Sequence, residues 1–206
     1  MKIKNQMFTA ALVAVCCGAA LAAQAKQPEN GTLENLQTAY NGESNARARY
    51  EAFAAKADAE GYAGVAGLFR AAALSESIHA AKLAKAIEAL GGVPKAELKA
   101  PEVKTTKENL LAAKKGEDYE SAKMYPGFLK KAIADKNQRA MYGFKGALAS
   151  EKMHSQMFAK ALANLNDWKA KKKFIVCRTC GYATMDLTLK VCPVCSQPRE
   201  QFTEVE

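Results

Sequence analysis

Four long stretches of this chain repeat apolar residues every three or four positions, the period of an amphipathic helix. The first spans about 32–59, with Leu33, Leu36, Tyr40, Glu43, Ala46 or Arg47, Tyr50, Phe53 and Ala57 on one stripe. The second spans about 63–90, with Val65, Leu68, Ala72, Glu76, His79, Leu83, Ile87 and Leu90. Gly91-Gly92 ends it and Pro94 prevents its continuation. Residues 91–104 carry no helical pattern. The third stretch opens on Thr105-Thr106-Lys107-Glu108, the spacing of a capping box. Its stripe is Leu110, Ala113, Glu117, Glu120, Met124 and Phe128, and Pro126 inside it predicts a kink or a local distortion. Asp135 is placed to cap the fourth, which carries Phe144, Leu148, Glu151, His154, Phe158, Ala161 and Leu165. Short turns join helices one to two and three to four, and a longer connection joins two to three. This connectivity predicts a mainly α protein, a four-helix bundle with one crossover, over residues 26–168.

The pattern stops at a lysine-rich linker, residues 169–173. Residues 174–206 have no helical stripe and contain four cysteines, so they read as a separate module too short to be held by an apolar core alone. Cys177-x-x-Cys180 and Cys192-x-x-Cys195 are 11 residues apart. Two such knuckles bind one metal through four thiolates. Zinc would serve as a structural staple and iron as a one-electron carrier; two disulfides are the other reading of the same four residues.

The acids on the bundle stripes carry the chemistry. Glu43, Glu76, Glu117, Glu120 and Glu151 fall on the apolar stripes, as do His79 and His154, the only two histidines in the chain. Glu76 and His79, like Glu151 and His154, are three residues apart, which puts both side chains on one helix face. Five carboxylates facing one core require compensating positive charge, because burying an unpaired charge costs several kcal/mol or more. Two divalent or two trivalent ions bracket that charge. Carboxylate and imidazole donors without thiolate suit iron or manganese, and the pattern is that of ferritin-like dinuclear proteins.

Composition narrows the remaining classes. The 206 residues are 49% hydrophobic, 25% charged and 8% aromatic, as expected of a folded helical protein. The single long apolar run, Met7 to about Ala23, follows Lys2 and Lys4 and ends at Ala23-Gln24-Ala25, an A-x-A site. Residues 1–25 therefore read as a secretory signal peptide, with the mature chain starting at Lys26 and exported, to the periplasm, through the Sec route. No stable membrane insertion is expected after cleavage. Loss of Lys2 and Lys4 lowers the formal charge from +9 to +7. The cations are scattered through every segment, which argues against a nucleic-acid partner.

Taken together, these motifs resemble rubrerythrin over nearly the whole mature chain. They are Gly42-Glu43-Ser44 with Arg47, Arg49 and Tyr50; Glu76-x-x-His79; Gly116-Glu117-Asp118-Tyr119-Glu120 followed by Met124-Tyr125-Pro126; Glu151-x-x-His154; and the rubredoxin-like cysteine quartet. The resemblance implies a di-iron centre held by Glu43, Glu76, His79, Glu117, Glu120, Glu151 and His154, with one further iron on Cys177, Cys180, Cys192 and Cys195. It implies a non-haem peroxidase that reduces hydrogen peroxide, takes electrons from a redox protein and forms a head-to-tail homodimer. In that dimer the cysteine-bound iron of one subunit stands beside the di-iron site of the other. Glu120 would exchange with His79 as one iron changes oxidation state, and Tyr50 and Tyr125 would line the pocket. Ser196 stands where relatives often have glycine. A ferroxidase or iron-sequestering protein would need no cysteine module, and a non-redox bundle with a zinc ribbon would not keep the full ligand set.

Overall fold

The computed structural model describes residues 31–206; the signal-peptide reading concerns residues outside that range. Helices α1 (Thr32–Ala59) and α2 (Ala63–Glu88) form an antiparallel hairpin. Helix α3 (Thr106–Tyr119) runs through a π-helical segment, Glu120–Met124, into α4 (Tyr125–Ala134). Helix α5 (Gln138–Ala163) completes four rods. Strands β1 (Phe174–Cys177), β2 (Ala183–Thr184) and β3 (Phe202–Val205) follow as an antiparallel sheet in the order β2-β1-β3.

The sequence dictates most of the boundaries. Gly91 takes φ 75° where α2 has ended, a backbone state costly for other residues. Thr105 and Glu108 close the expected capping box. One expectation needs correction at the other boundaries. Asp135 does not cap α5: its carboxylate accepts a hydrogen bond from the Thr32 hydroxyl at 2.7 Å, tying the start of α1 to the end of α4. The cap is Asn137, whose side chain accepts from the Ala140 N–H at 3.0 Å. The local distortion expected around Pro126 is present as the π turn Glu120–Met124, and Pro126 follows it in the first turn of α4. At the ends of the stripes, Leu33 and Leu90 lie exposed, outside the core.

Residues 91–105 run back along α1 and are held by its polar side chains at helical spacing. Gln37 donates to the Val93 carbonyl at 2.6 Å, and Asn41 and Asn45 accept from the backbone N–H groups of Glu97 and Lys99 at 2.8 and 2.9 Å. These amides supply the hydrogen bonds that an irregular segment cannot make with itself.

The apolar interior of the bundle is divided in two. One cluster packs Tyr50, Phe53, Phe69 and Phe158, with ring centroids 5.4–5.8 Å apart along four of its pairs. The other packs Tyr125, Phe128 and Phe144 at 5.5–6.3 Å. Each buried aromatic contributes about 1.5–3 kcal/mol of burial. Between the two clusters lies a polar layer, and each cluster sends one phenol into it.

The cysteine module packs on α2 and α5. Phe174, Val176 and Ala183 belong to the same apolar cluster as Phe69 and Ala72. A Cβ on Gly67 would stand 2.7 Å from the Glu206 backbone, so α2 offers a bare backbone to the chain's C-terminal end. Lys172 and Lys169 of the linker lie over the rings of Trp168 and Tyr62 at 5.2 and 5.9 Å, which pins the linker to the end of the bundle.

Candidate metal centres

Two interlocked donor clusters occupy the polar layer. Glu43, Glu76, His79 and Glu151 form one; Glu76, Glu117, Glu151 and His154 form the other. Within each, one donor atom per residue lies within 4.8 Å of all the others, and every member is buried. Glu76 and Glu151 belong to both. The arrangement is near-symmetric: His79 Nδ1 is 2.9 Å from Glu76, 3.3 Å from Glu151 and 3.8 Å from Glu43, while His154 Nδ1 is 3.0 Å from Glu151, 3.2 Å from Glu76 and 3.8 Å from Glu117.

These residues fit a pair of metal ions. Both Glu151 oxygens, Glu117 Oε2 and both ring nitrogens of His154 are buried without a hydrogen-bond partner among the described residues. Such groups are costly to leave unpaired, and here most of their lone pairs converge. Glu76 and Glu151 would be shared by both ions, with Glu43 and His79 serving one and Glu117 and His154 the other. The Tyr50 hydroxyl donates to Glu117 and the Tyr125 hydroxyl to Glu43, so each outer carboxylate is oriented by a phenol from a different apolar cluster.

Glu120 stands apart from both clusters. It opens the π segment, is half-buried, and lies within electrostatic reach of Glu117, Glu43, Glu151 and Glu76. Burial first, and then the Glu117 and Glu43 charges, raise its pKa well above the ordinary carboxylate value.

The electrostatics of the metal-free layer follow from its charges. Burial and the Glu151 charge push Glu117 up to about 8 and raise Glu43 well above 4.5. Burial works against ionised Glu76 as well, but His154 and His79 outweigh it and hold that carboxyl at about 2. Burial alone would lower both imidazoles, yet the facing carboxylates raise them above 6.5. The folded metal-free chain therefore keeps protons on Glu117, Glu43, His79 and His154 that the unfolded chain releases. Stability carried by these groups is present at low pH and lost as pH rises through their folded values. The denaturation midpoint of chelator-treated protein is expected to fall from about pH 5 to about pH 8. Loading with a divalent metal should abolish that slope, and a flat metal-free profile would refute this charge assignment.

The imidazole of His79 is fixed from behind by residues the sequence reading missed. Its Nε2 lies 3.2 Å from Ser150 Oγ, and the Ser150 hydroxyl lies 3.2 Å from the Gly146 carbonyl. Since the hydroxyl has one proton to give to the carbonyl, it accepts from Nε2–H, which leaves Nδ1 as the nitrogen that would take a metal once the imidazolium gives up its second proton. Ser75 donates to the Gly181 carbonyl at 2.5 Å. A Cβ on Gly181 would stand 2.3 Å from His79 Nε2. The signal for both serines was present: each Glu-x-x-His motif is preceded by serine, Ser75-Glu76 and Ser150-Glu151.

Cys177, Cys180, Cys192 and Cys195 form a third cluster, again within 4.8 Å of one another. All four are free thiols, with Sγ separations of 3.6 Å for Cys177–Cys195 and 3.5 Å for Cys180–Cys192. Hydrogen bonding from Cys180 holds the Cys177 thiol at about 5, so one thiolate is already available to a metal. After each knuckle comes a left-handed residue, Gly181 at φ 85° and Ser196 at φ 59°. Their N–H groups donate to the Cys177 and Cys192 carbonyls at 2.8 and 2.9 Å. The Cys177–Cys180 knuckle is buried on the bundle, and the Cys192–Cys195 knuckle faces outward. The cysteine cluster thus stands beside the bundle site of its own chain, with the Cys180-Gly181 peptide against His79.

Comparison with known proteins agrees with this two-site architecture. The family model described as Rubrerythrin matches residues 34–162, and that described as Rubrerythrin, rubredoxin-like domain matches 176–203. The chain is 37% identical to nigerythrin of Nitratidesulfovibrio vulgaris over 186 residues, covering 89% of this chain and 91% of the relative. It is 34% identical to rubrerythrin-1 of Clostridium acetobutylicum, covering 83% and 92%. The solved structure of fully reduced, all-ferrous nigerythrin superposes with a TM-score of 0.80 at 34% identity, covering 96% of this chain and 100% of that one. Desulfovibrio desulfuricans bacterioferritin, at 21% identity and a TM-score of 0.61 over 66% of this chain and 80% of its own, shares the bundle fold.

Proposed function

The chain belongs to the rubrerythrin family, with a di-iron carboxylate site and a four-cysteine rubredoxin-like site, and from that premise we propose that it is an exported peroxidase that reduces hydrogen peroxide to water. The carrying observation is the contact of the two sites through Cys180, Gly181 and His79, which gives a storage bundle no advantage but gives a redox enzyme a relay. When bound, two ferrous ions supply the two electrons that, with two protons, convert one hydrogen peroxide into two waters. The chain's own residues do the rest. Glu76 and Glu151 would be shared by both ions, Tyr50 and Tyr125 keep Glu117 and Glu43 in place, and the two aromatic clusters flank the layer. His79 is locked with Nδ1 toward the site. Glu120 holds a proton in the metal-free layer, and on releasing it would offer a carboxylate to a bound ion, which suits the exchange with His79 implied by the family.

The four cysteines would hold a one-electron iron, with the Cys192–Cys195 knuckle open to a redox-protein donor and the Cys177–Cys180 knuckle turned toward the bundle site. A homodimer belongs to the same reading, although the relay described here lies within one chain and needs no partner to complete it. The linker lysines are a weaker docking patch than their sequence suggests, because Lys169 and Lys172 cover aromatic rings and Lys173 lies 3.5 Å from Glu206.

Glu120→Ala is the direct test. It leaves both donor clusters intact, so iron content should stay at the parental level while peroxide reduction in stopped-flow mixing slows about 10- to 100-fold. An unchanged rate would remove Glu120 from the reaction. For export, the secreted protein should begin at Lys26 by intact mass; an uncut chain recovered from the cytosol would refute that part.

A further inference from the structure

The outward face of α3, α4 and α5 differs in charge from the rest of the bundle. Residues 106–163 carry eleven lysines and arginines and six acids. Three of those acids, Glu117, Glu120 and Glu151, belong to the interior layer, so eleven cations face Glu108, Asp118 and Asp135. Asp118 and Asp135 already pair with Lys114 and Lys131 on their own helices, at 2.6 and 2.9 Å. Residues 32–88, in α1 and α2, carry six cations and seven acids, of which Glu43 and Glu76 are interior, so that face is close to neutral. Large apolar side chains of the same helices are exposed: Leu111 is 51% exposed, Tyr119 58%, Ile133 53% and Tyr142 72%, and Ile133, Tyr142 and Lys145 line one hollow.

We propose that the α3–α5 face is a docking surface for an anionic phospholipid bilayer, which the folded protein binds peripherally. Among the described residues no helix is long and apolar enough to cross a membrane, so the binding is to the surface. The face has the composition that a lipid headgroup region selects. Lysines attract the anionic layer, and tyrosines and aliphatic side chains enter the boundary between headgroups and acyl chains. Its dimensions fit an extended surface, since the 26 residues of α5 run about 39 Å. An acidic protein partner fits less well. A donor must reach the outward cysteine knuckle, whereas the lysines run the length of all three helices. A nucleic acid would match the charge but not the exposed Leu111 and Ile133.

The test uses the metal-loaded chain from Lys26, which contains every described residue, and co-sedimentation with vesicles. Vesicles of phosphatidylcholine with phosphatidylglycerol should carry the protein down, and vesicles of phosphatidylcholine alone should not. At 1 M salt, where the screening length is about 3 Å, binding should be lost. Replacing Lys115, Lys130, Lys145 and Lys152 together by glutamate should abolish it, with each lysine worth about fivefold. Reversing Lys82 and Lys85 on α2 should leave it nearly unchanged, and Tyr142→Ser should weaken it at constant charge. Metal content and helical circular dichroism confirm that each variant is folded. Equal binding to both vesicle types, equal binding by the four-lysine variant, or capture by polyaspartate beads without capture by vesicles would overturn the proposal. Peroxide reduction in solution is independent of these outcomes.

Discussion

Replacing Glu151 with alanine is expected to deprive the bundle of both metal ions at once. Glu151 and Glu76 are the two residues common to the donor clusters, and Glu151 brings two buried oxygens that have no hydrogen-bond partner among the described residues. Losing a ligand common to both ions should cost more than losing a supporting hydrogen bond, so peroxide reduction should fall by more than about 100-fold. The metal on the four cysteines should remain, because none of its ligands is touched. Glu43→Ala offers the contrast: it damages only the cluster around His79 and should leave one bundle metal per chain. Metal counting on the two variants checks the assignment, and a Glu151→Ala protein that retained two bundle metals would sink it. The metal-free Glu151→Ala chain should also lose much of the pH slope of its stability, since the Glu151 charge helps to raise Glu43, Glu117 and His79.

The second large effect is expected at Gly181. A side chain there meets two obstacles. The residue is at φ 85°, which costs an L-residue about 1–2 kcal/mol. The new Cβ would also lie 2.3 Å from His79 Nε2, so either the imidazole or the knuckle must shift. Gly181→Ala should hold metal at both sites yet pass electrons from the cysteine site to the bundle much more slowly, since a displacement near 1 Å can cost about 100-fold in a geometry-dependent step. Reoxidation of the reduced cysteine-site iron after a peroxide pulse measures that step. Ser196→Gly, at the corresponding turn of the other knuckle, relieves a strained residue far from His79 and should leave the rate alone. Parental transfer in Gly181→Ala would mean that the relay does not cross this contact.

Much of this architecture can be read from spacing, because helix period and metal ligation impose local rules. The stripe positions Glu43, Glu76, His79, Glu117, Glu151 and His154 all lie in the interior layer, and the cysteine quartet closes on itself. What escaped was non-local or hidden in ordinary residues. Nothing about Asp135 shows that Thr32, 103 positions earlier, will claim its carboxylate. Asn41 and Asn45 look like polar interruptions of α1 until the crossover lies against them. The roles of Ser75 and Gly181 depend on two domains meeting, and that of Ser150 on α2 meeting α5; no periodicity encodes either meeting. Ser196 stands where relatives often have glycine, and the backbone there has φ 59°, the state glycine adopts freely.

The π segment in the third rod has a consequence for redesign. Glu117 and Tyr125 both point inward although eight residues separate them, and a regular α-helix would leave them about 80° apart around its axis. With seven residues between the same two faces, the mismatch would shrink to about 20°. The segment therefore behaves as a one-residue insertion whose extra length is absorbed in a wider turn, and Glu120 is the residue on which that turn begins. Deleting Ala122 would yield an unbroken third helix that still presents Glu117 and Tyr125. A one-residue deletion is therefore the smallest change that would separate the fifth carboxylate, Glu120, from the wider turn that begins on it.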